Sequence, residues 1–232
     1  MNILAIETTE RIGSVAAMSE GQLLCELGLD PSQRSAQSLA PAVKSLLSEV
    51  DWQPGNIDLV AVTVGPGSFT GLRVGIATAK TLAFCCEAEI LGINTLEAIA
   101  AAAPSDVDQL EVVVDAQRNE VVVQKFRRGE DGWFTPEQDP ARLVDIDDWL
   151  EGLAPGTVIS GPILKRLANR LPQTVIPLPP EQSHPTAANI ARLAARHHAA
   201  GRRDDVWKLV PVYSRQSAAE EKWAERQAKN SE

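Results

Sequence analysis

Gly65-Pro66-Gly67-Ser68-Phe69-Thr70-Gly71-Leu72-Arg73 joins an apolar run, residues 57–64, to a second apolar stretch rich in glycine and alanine, residues 72–86. The first reads as a buried strand and the second as a helix. A glycine-rich strand-to-helix turn often cradles phosphate, because exposed N–H groups and the helix dipole favour anions. The details of this turn point elsewhere. A P-loop closes on Gly-Lys-Ser/Thr, whereas the first lysine after Gly71 is Lys80. The dinucleotide spacing G-x-G-x-x-G is missed too, Gly67 to Gly71 being one residue too long.

Outward from that loop the chain alternates strand and helix signals. Residues 3–7, 14–19 and 23–29 read as a three-strand meander with turns near Arg11 and Glu20-Gly21. Residues 35–50 carry Leu39, Val43, Leu46, Leu47 and Val50 at helical spacing, and Pro54-Gly55 ends that segment. After the loop and its helix come a strand at 90–93 and an alanine-rich helix at 95–103. Strands then start again at 111–115 and 120–126, separated by a short polar turn as in the first meander. An acidic residue, Glu7 or Asp115, ends the leading strand each time, a faint internal duplication. The spacing predicts helices at 145–153, 163–171 and 186–200, and strands at 157–160 and 174–176. The fold class expected is α/β: two actin-like (RNase H-like) lobes with mixed sheets, the second shortened. Residues 1–104 form the first lobe, 105–217 the second, and 218–232 a polar tail.

Composition narrows the classes. At 232 residues, 44% hydrophobic and 23% charged, the chain matches an ordinary globular protein with a sizeable core. A net charge of −9 argues against a surface that coats nucleic acid, which needs clustered Lys and Arg. Arg127-Arg128 and Arg202-Arg203 read as solvated loop edges. No apolar stretch reaches the ~20 residues of a membrane span. Met1-Asn2 runs into a strand without a basic leader, so a cytoplasmic protein is expected. Cys25, Cys85 and Cys86 fit neither a disulfide framework nor a metal pattern and read as small buried residues.

Ile3-Leu4-Ala5-Ile6-Glu7-Thr8-Thr9, Gly13-Ser14-Val15-Ala16, the loop with Val74-Gly75 after it, and Val114-Asp115-Ala116-Gln117-Arg118-Asn119-Glu120-Val121 together closely resemble the TsaB (YeaZ) family. Near the end only Pro211-Val212-Tyr213-Ser214-Arg215 matches. That family is the bacterial partner subunit in tRNA threonylcarbamoyladenosine synthesis. The resemblance implies an actin-like fold and a scaffold that docks on the catalytic subunit TsaD. It also implies a TsaE-like ATPase in the assembly, a homodimer when TsaD is absent, tRNA contacted only through the complex, and no membrane.

Chemistry can be checked against TsaD, the catalytic relative. TsaD-like chains carry Asn-His-x-x-x-His, whose histidines hold a metal; the matching stretch here is Asn94-Thr95-Leu96-Glu97-Ala98-Ile99. Neither Thr95 nor Ile99 can be an imidazole ligand. The adenine stretch Ser-Gly-Gly-Val-x-x-Asn corresponds to Ser160-Gly161-Pro162-Ile163-Leu164-Lys165-Arg166. Proline removes an N–H and fixes φ, and arginine replaces the asparagine. The expectation is no catalytic residue, no metal and no cofactor. Glu7, Thr8 and Asp115 stand where actin-like ATPases manage a cation near phosphates; they read either as such a vestigial site or as turn-closing residues. The alternative function is an ATP-dependent phosphotransferase or a metallopeptidase. Adjacent His197 and His198 point ~100° apart on a helix and read as helix-end residues.

Two helices offer a partner surface. Gly75, Ile76 and Ala79 follow Leu72 at helical spacing, and such small residues permit close helix approach, so that leucine in place of one would force the helices apart. The same stripe could equally pack on the chain's own sheet. The resemblance tips the reading, and Leu39, Val43, Leu72, Gly75, Ile76 and Ala79 are expected at or beside the TsaD interface. The signature loop itself comprises Gly65, Pro66, Gly67, Ser68, Phe69, Thr70, Gly71 and Arg73.

Overall fold

The computed structural model describes residues 1–138 and 140–214. Arg215 and the tail expected at 218–232 therefore lie outside the described residues. Strands β1 (Asn2–Glu7), β2 (Ser14–Ser19) and β3 (Gln22–Gly28) form the predicted antiparallel meander. β4 (Leu59–Gly65) and β5 (Glu89–Asn94) join β1 in parallel, so the sheet order is β3-β2-β1-β4-β5. Helices α1 (Ser35–Glu49) and α2 (Phe69–Cys86) provide the connections around β4, and α3 (Thr95–Ala100) follows β5.

The second half repeats this path. β6 (Gln109–Gln117) and β7 (Glu120–Arg128) pair antiparallel, and β8 (Phe134–Pro136) and β9 (Arg142–Asp145) both pair with β7. After α4 (Ile146–Glu151), β10 (Val158–Ser160) lies parallel to β6. The one-turn α5 (Leu164–Leu167) then leads to β11 (Ile176–Pro177). The order β8-β7-β6-β10-β11 matches the first sheet strand for strand. Two lobes of one topology are thus present, the second with shorter helices and outer strands although β6 and β7 outreach β1 and β2.

Alternation decides what each sheet face buries. On the first sheet Leu4, Ile6, Val15, Val60 and Val62 face α1 and α2, while Ile3, Ala5, Ala16, Leu59 and Ala61 face the other way. That second face is covered by α6 (Ala187–Ala199), a late helix that returns to the first sheet through Ile190, Ala191, Leu193 and Ala194. The first lobe caps its N-terminus: Ala187 N–H donates to Ser14 Oγ at 2.9 Å and Ala188 N–H to Glu26 Oε1 at 3.0 Å. Thr186 Oγ1 accepts from Asn189 N–H at 3.2 Å.

Several expectations need correction. β8 and β9 were not foreseen, because three- and four-residue edge strands with Pro136 and exposed Arg142 carry no period-two signal. The helix expected at 163–171 is a single turn without a side-chain cap. Cys85 lies exposed on the outer face of α2, not in the core. Among the described residues no helix is long and apolar enough to cross a membrane.

Candidate functional site

The glycines of the loop are set by a close approach of backbone. β1 ends in a Glu7-Thr8-Thr9 turn that presses against the start of α2. A Cβ on Gly71 would stand 1.8 Å from the Thr8 carbonyl oxygen, and one on Gly75 would stand 2.3 Å from Thr8 Oγ1. Thr8 Oγ1 itself donates to the Gly71 carbonyl at 2.8 Å. Three of the donors at this turn are engaged within the chain. Ser68 N–H goes to the Thr9 carbonyl at 3.1 Å, Gly71 N–H to Ser68 Oγ at 3.2 Å and Leu72 N–H to the Ser68 carbonyl at 2.8 Å. These bonds tie the loop to the turn after β1 and to the first turn of α2.

Phe69 and Arg73 have a different task. The Tyr213 ring stacks on Phe69 with centroids 4.8 Å apart. The Arg73 guanidinium lies 3.9 Å over Phe69 and its Nε donates to the Tyr213 hydroxyl at 3.0 Å. Val212 N–H donates to the Val64 carbonyl at 2.7 Å, and Gly65 (φ +124°) lacks a Cβ because one would stand 2.2 Å from the Val212 oxygen. Lys80 Nζ donates to the carbonyls of Trp207 and Leu209 at 3.2 Å each. The signature loop and α2 thus clamp the Leu209–Tyr213 segment.

Between the two lobes lies a cleft of about 780 Å³, lined by Glu10, Ser68, Thr70, Asp115, Arg118 and Arg166 among others. Asp115 is engaged there. Arg166 Nη1 and Nη2 reach its two oxygens at 2.9 and 3.3 Å, and Gln117 N–H donates to Oδ1 at 2.9 Å. Pro162 stands on the same wall, after Gly161, whose Cβ would collide with the Val113 oxygen at 1.8 Å. Glu10 was not singled out in the sequence. Burial, with the Asp115 charge adding to it, pushes its carboxyl up to about 7. Glu7 does not line this cleft. Its Oε1 accepts from both the N–H and the hydroxyl of Thr9. Full burial nevertheless raises it to about 7, the Thr9 bonds opposing. Glu7 and Thr8 therefore sit in the turn, while Asp115 faces the cleft.

The six residues expected at a partner interface are placed in the chain's own core. Leu39, Val43, Leu72, Ile76 and Ala79 are at most 5% exposed, and Gly75 is buried against Thr8 and Val62. Gly75 accommodates the turn after β1 and strand β4, and Ile76 and Ala79 share a core cluster with Leu39, Val43 and Leu46 of α1. What α1 and α2 turn outward is a groove of about 550 Å³, with Ala40, Lys44, Leu47, Trp52, Thr78 and Leu82 on its walls. Of the six, only Val43 reaches it. On the opposite face of α2, with Lys80, Phe84 is 64% exposed and packs edge-on against Trp207, 71% exposed.

Other singled-out residues are committed internally. Arg128 donates to the carbonyls of Ala103, Pro104, Val107 and Gly132, and Arg127 pairs with Glu137 at 2.6 Å. Arg202 and Arg203 pair with Asp204 and Glu89. His197 meets Glu97 at 2.9 Å and His198 meets Glu89. Thr95 and Ile99 lie in the core on α3. Among the described residues no His, Cys, Asp and Glu come together in a group that could hold a metal.

Known proteins align with this geometry. A family model described as TsaD, tRNA N6-adenosine threonylcarbamoyltransferase, matches residues 30–141. The tRNA threonylcarbamoyladenosine biosynthesis protein TsaB of Bacillus subtilis is 30% identical over 239 residues, spanning 98% of this chain and 100% of that protein. TsaB of Escherichia coli is 32% identical over 145 residues, 62% of each chain. The structure of YeaZ from Pseudomonas aeruginosa superposes with a TM-score of 0.78 at 25% identity, covering 91% of this chain and 99% of that one.

Proposed function

The chain belongs to the TsaB family of tRNA threonylcarbamoyladenosine biosynthesis proteins, and we propose that it acts there as a non-catalytic partner subunit. In this reading it docks on a TsaD-like transferase and holds it active. TsaD transfers the threonylcarbamoyl group to N6 of the adenosine beside the anticodon. A TsaE-like ATPase joins the complex, tRNA is met through the partner, and the chain pairs with itself when the catalytic subunit is absent. The work is done in the cytoplasm. Residues 1–104 are the docking lobe and 105–217 a second lobe that steadies it.

The observation that supports this is the outward groove between α1 and α2, whose half-buried Leu47, Trp52 and Leu82 give a partner helix apolar surface to cover. Activation needs no catalytic group: a contact made more favourably with the competent conformation of the transferase shifts its population. Of the acids singled out in the sequence as a cation or phosphate site, Asp115 is held by Arg166 and Glu7 is closed into its turn, so neither favours the phosphotransferase or metallopeptidase reading.

The test is association with the TsaD-like subunit by calorimetry. Ala40→Arg and Thr78→Arg put bulk and charge into the groove from positions that contribute little to the core. Each is expected to weaken binding at least ~10-fold while stability stays within ~0.5 kcal/mol. Unchanged affinity in both would place the docking surface elsewhere.

A further inference from the structure

On the face of the first sheet beneath α6, three adjacent parallel strands carry apolar ladders: Ile3 and Ala5 on β1, Leu59 and Ala61 on β4, Leu91 and Ile93 on β5. Alternation carries each ladder one step further on the same face, to Glu7, Thr63 and Thr95. All three steps are polar. Glu7 closes β1, Thr63 lies on β4 opposite Ile93, and Thr95 opens α3 directly after β5. They are enclosed, at 0%, 0% and 1% exposure.

Each holds one buried oxygen without a hydrogen-bond partner among the described residues: Glu7 Oε2, Thr63 Oγ1 and Thr95 Oγ1. Only one other buried side-chain atom there, Gln182 Oε1, shares that condition, so the orphans are concentrated in this row. An unmet buried oxygen is costly, and such groups are ordinarily paired with protein or with ordered water. The row also lies at the carboxyl ends of parallel strands, where α/β sheets open toward ligands.

We propose that Glu7, Thr63 and Thr95 form an internal binding site for water. Glu7 and Thr63 stand on neighbouring strands ~4.8 Å apart, and Thr95 lies one alternation step beyond Ile93, the residue opposite Thr63. No direct hydrogen bond joins the three, so a bridging molecule is needed to satisfy them. A buried water makes about three hydrogen bonds. Here it donates to Glu7 Oε2 when that carboxyl is ionised or accepts from it when protonated, and it donates to or accepts from the hydroxyls of Thr63 and Thr95, either of which can take both roles. Thr63, in the middle, is the member the water cannot lose. A metal cation fits the row less well, since it offers one carboxylate oxygen and two hydroxyls against the six or more oxygens such ions gather. Burial also pushes the Glu7 carboxyl toward its neutral form, which water tolerates and a cation does not. The bound water fixes the Glu7-Thr8-Thr9 turn on which Gly67, Gly71 and Gly75 pack, so it supports the signature loop from below. This site does not depend on the partner role proposed above.

The test combines a crystal structure at high resolution with a double-mutant cycle on the full chain. Expected is one ordered density peak within ~2.6–3.2 Å of Thr63 Oγ1 and of at least one other orphan oxygen. Thr63→Val and Thr95→Val each lower the urea midpoint, and the double variant lowers it by less than the sum, because the second removal acts on a site already emptied. Direct contact among the three side chains with no water between them overturns the proposal, as do additive midpoints. An anomalous peak after a rubidium soak, or a midpoint higher in potassium than in choline at equal ionic strength, overturns it in favour of a cation.

Discussion

Replacing Gly75 by alanine separates a glycine kept for a partner from one kept for the chain's own core. In an exposed helix interior the change stabilises by about 1 kcal/mol through helix propensity alone. Here the new Cβ would stand 2.3 Å from Thr8 Oγ1 and 3.4 Å from Val62 Cγ2. Thr8 must move, and its 2.8 Å bond to the Gly71 carbonyl goes with it. Overpacking costs about 1–3 kcal/mol and the lost bond about 1 kcal/mol. Set against the propensity gain, the net is a loss of about 1–3 kcal/mol. Urea unfolding of the isolated chain reads this directly. Thr8→Ala removes the colliding hydroxyl, so the pair is expected to be less destabilised than the sum of its singles by about 1 kcal/mol. A Gly75→Ala chain that is more stable than its parent yet loses its partner would refute the placement of this residue in the core. Gly75→Leu, by the same geometry, reports on folding rather than on docking.

Three further outcomes are expected. Tyr213→Phe removes the bond from Arg73 Nε at the cost of about 0.5–1.5 kcal/mol, and Tyr213→Ala loses in addition a stacking contribution of about 1 kcal/mol, both read by thermal unfolding. Glu7 titrates near 7 when folded against an ordinary 4.5, so between those values the folded chain keeps a proton that the unfolded chain has released. Stability therefore falls as pH rises through that window. The difference between the parent and Glu7→Gln is expected to change by about 3 kcal/mol from pH 4.5 to 7, measured by urea midpoints, and a flat difference would contradict the burial argument. Arg166→Ala frees an exposed carboxylate, so stability should change by less than about 1 kcal/mol, and a larger loss would mean the pair holds the lobe together.

Much of the architecture was legible because it is written locally. The strand, loop and helix around Gly65–Arg73, the first meander and its echo after Glu111 rest on alternation and turn residues a few positions apart. Periodicity also grouped Leu72, Gly75, Ile76 and Ala79 on one face, yet it is silent about what covers that face; the chain's own β1, β4 and α1 do. The clamp of Phe69 and Arg73 on Tyr213 joins positions about 140 residues apart, so no window along the chain could display it. Nothing in the sequence marks Glu10; the fold sets it near Asp115 in the cleft. Thr63 is equally unmarked there, and Thr95 stands out only as the residue in place of a metal-binding histidine; the enclosure of both hydroxyls without partners is a product of the fold.

The most direct measurement is threonylcarbamoyl transfer to tRNA, reconstituted from the TsaD-like and TsaE-like proteins of the same source with and without this chain. The partner role predicts transfer that depends on the chain, and that falls with Ala40→Arg in parallel with the loss of binding while the variant stays folded. Full transfer in its absence would contradict that role.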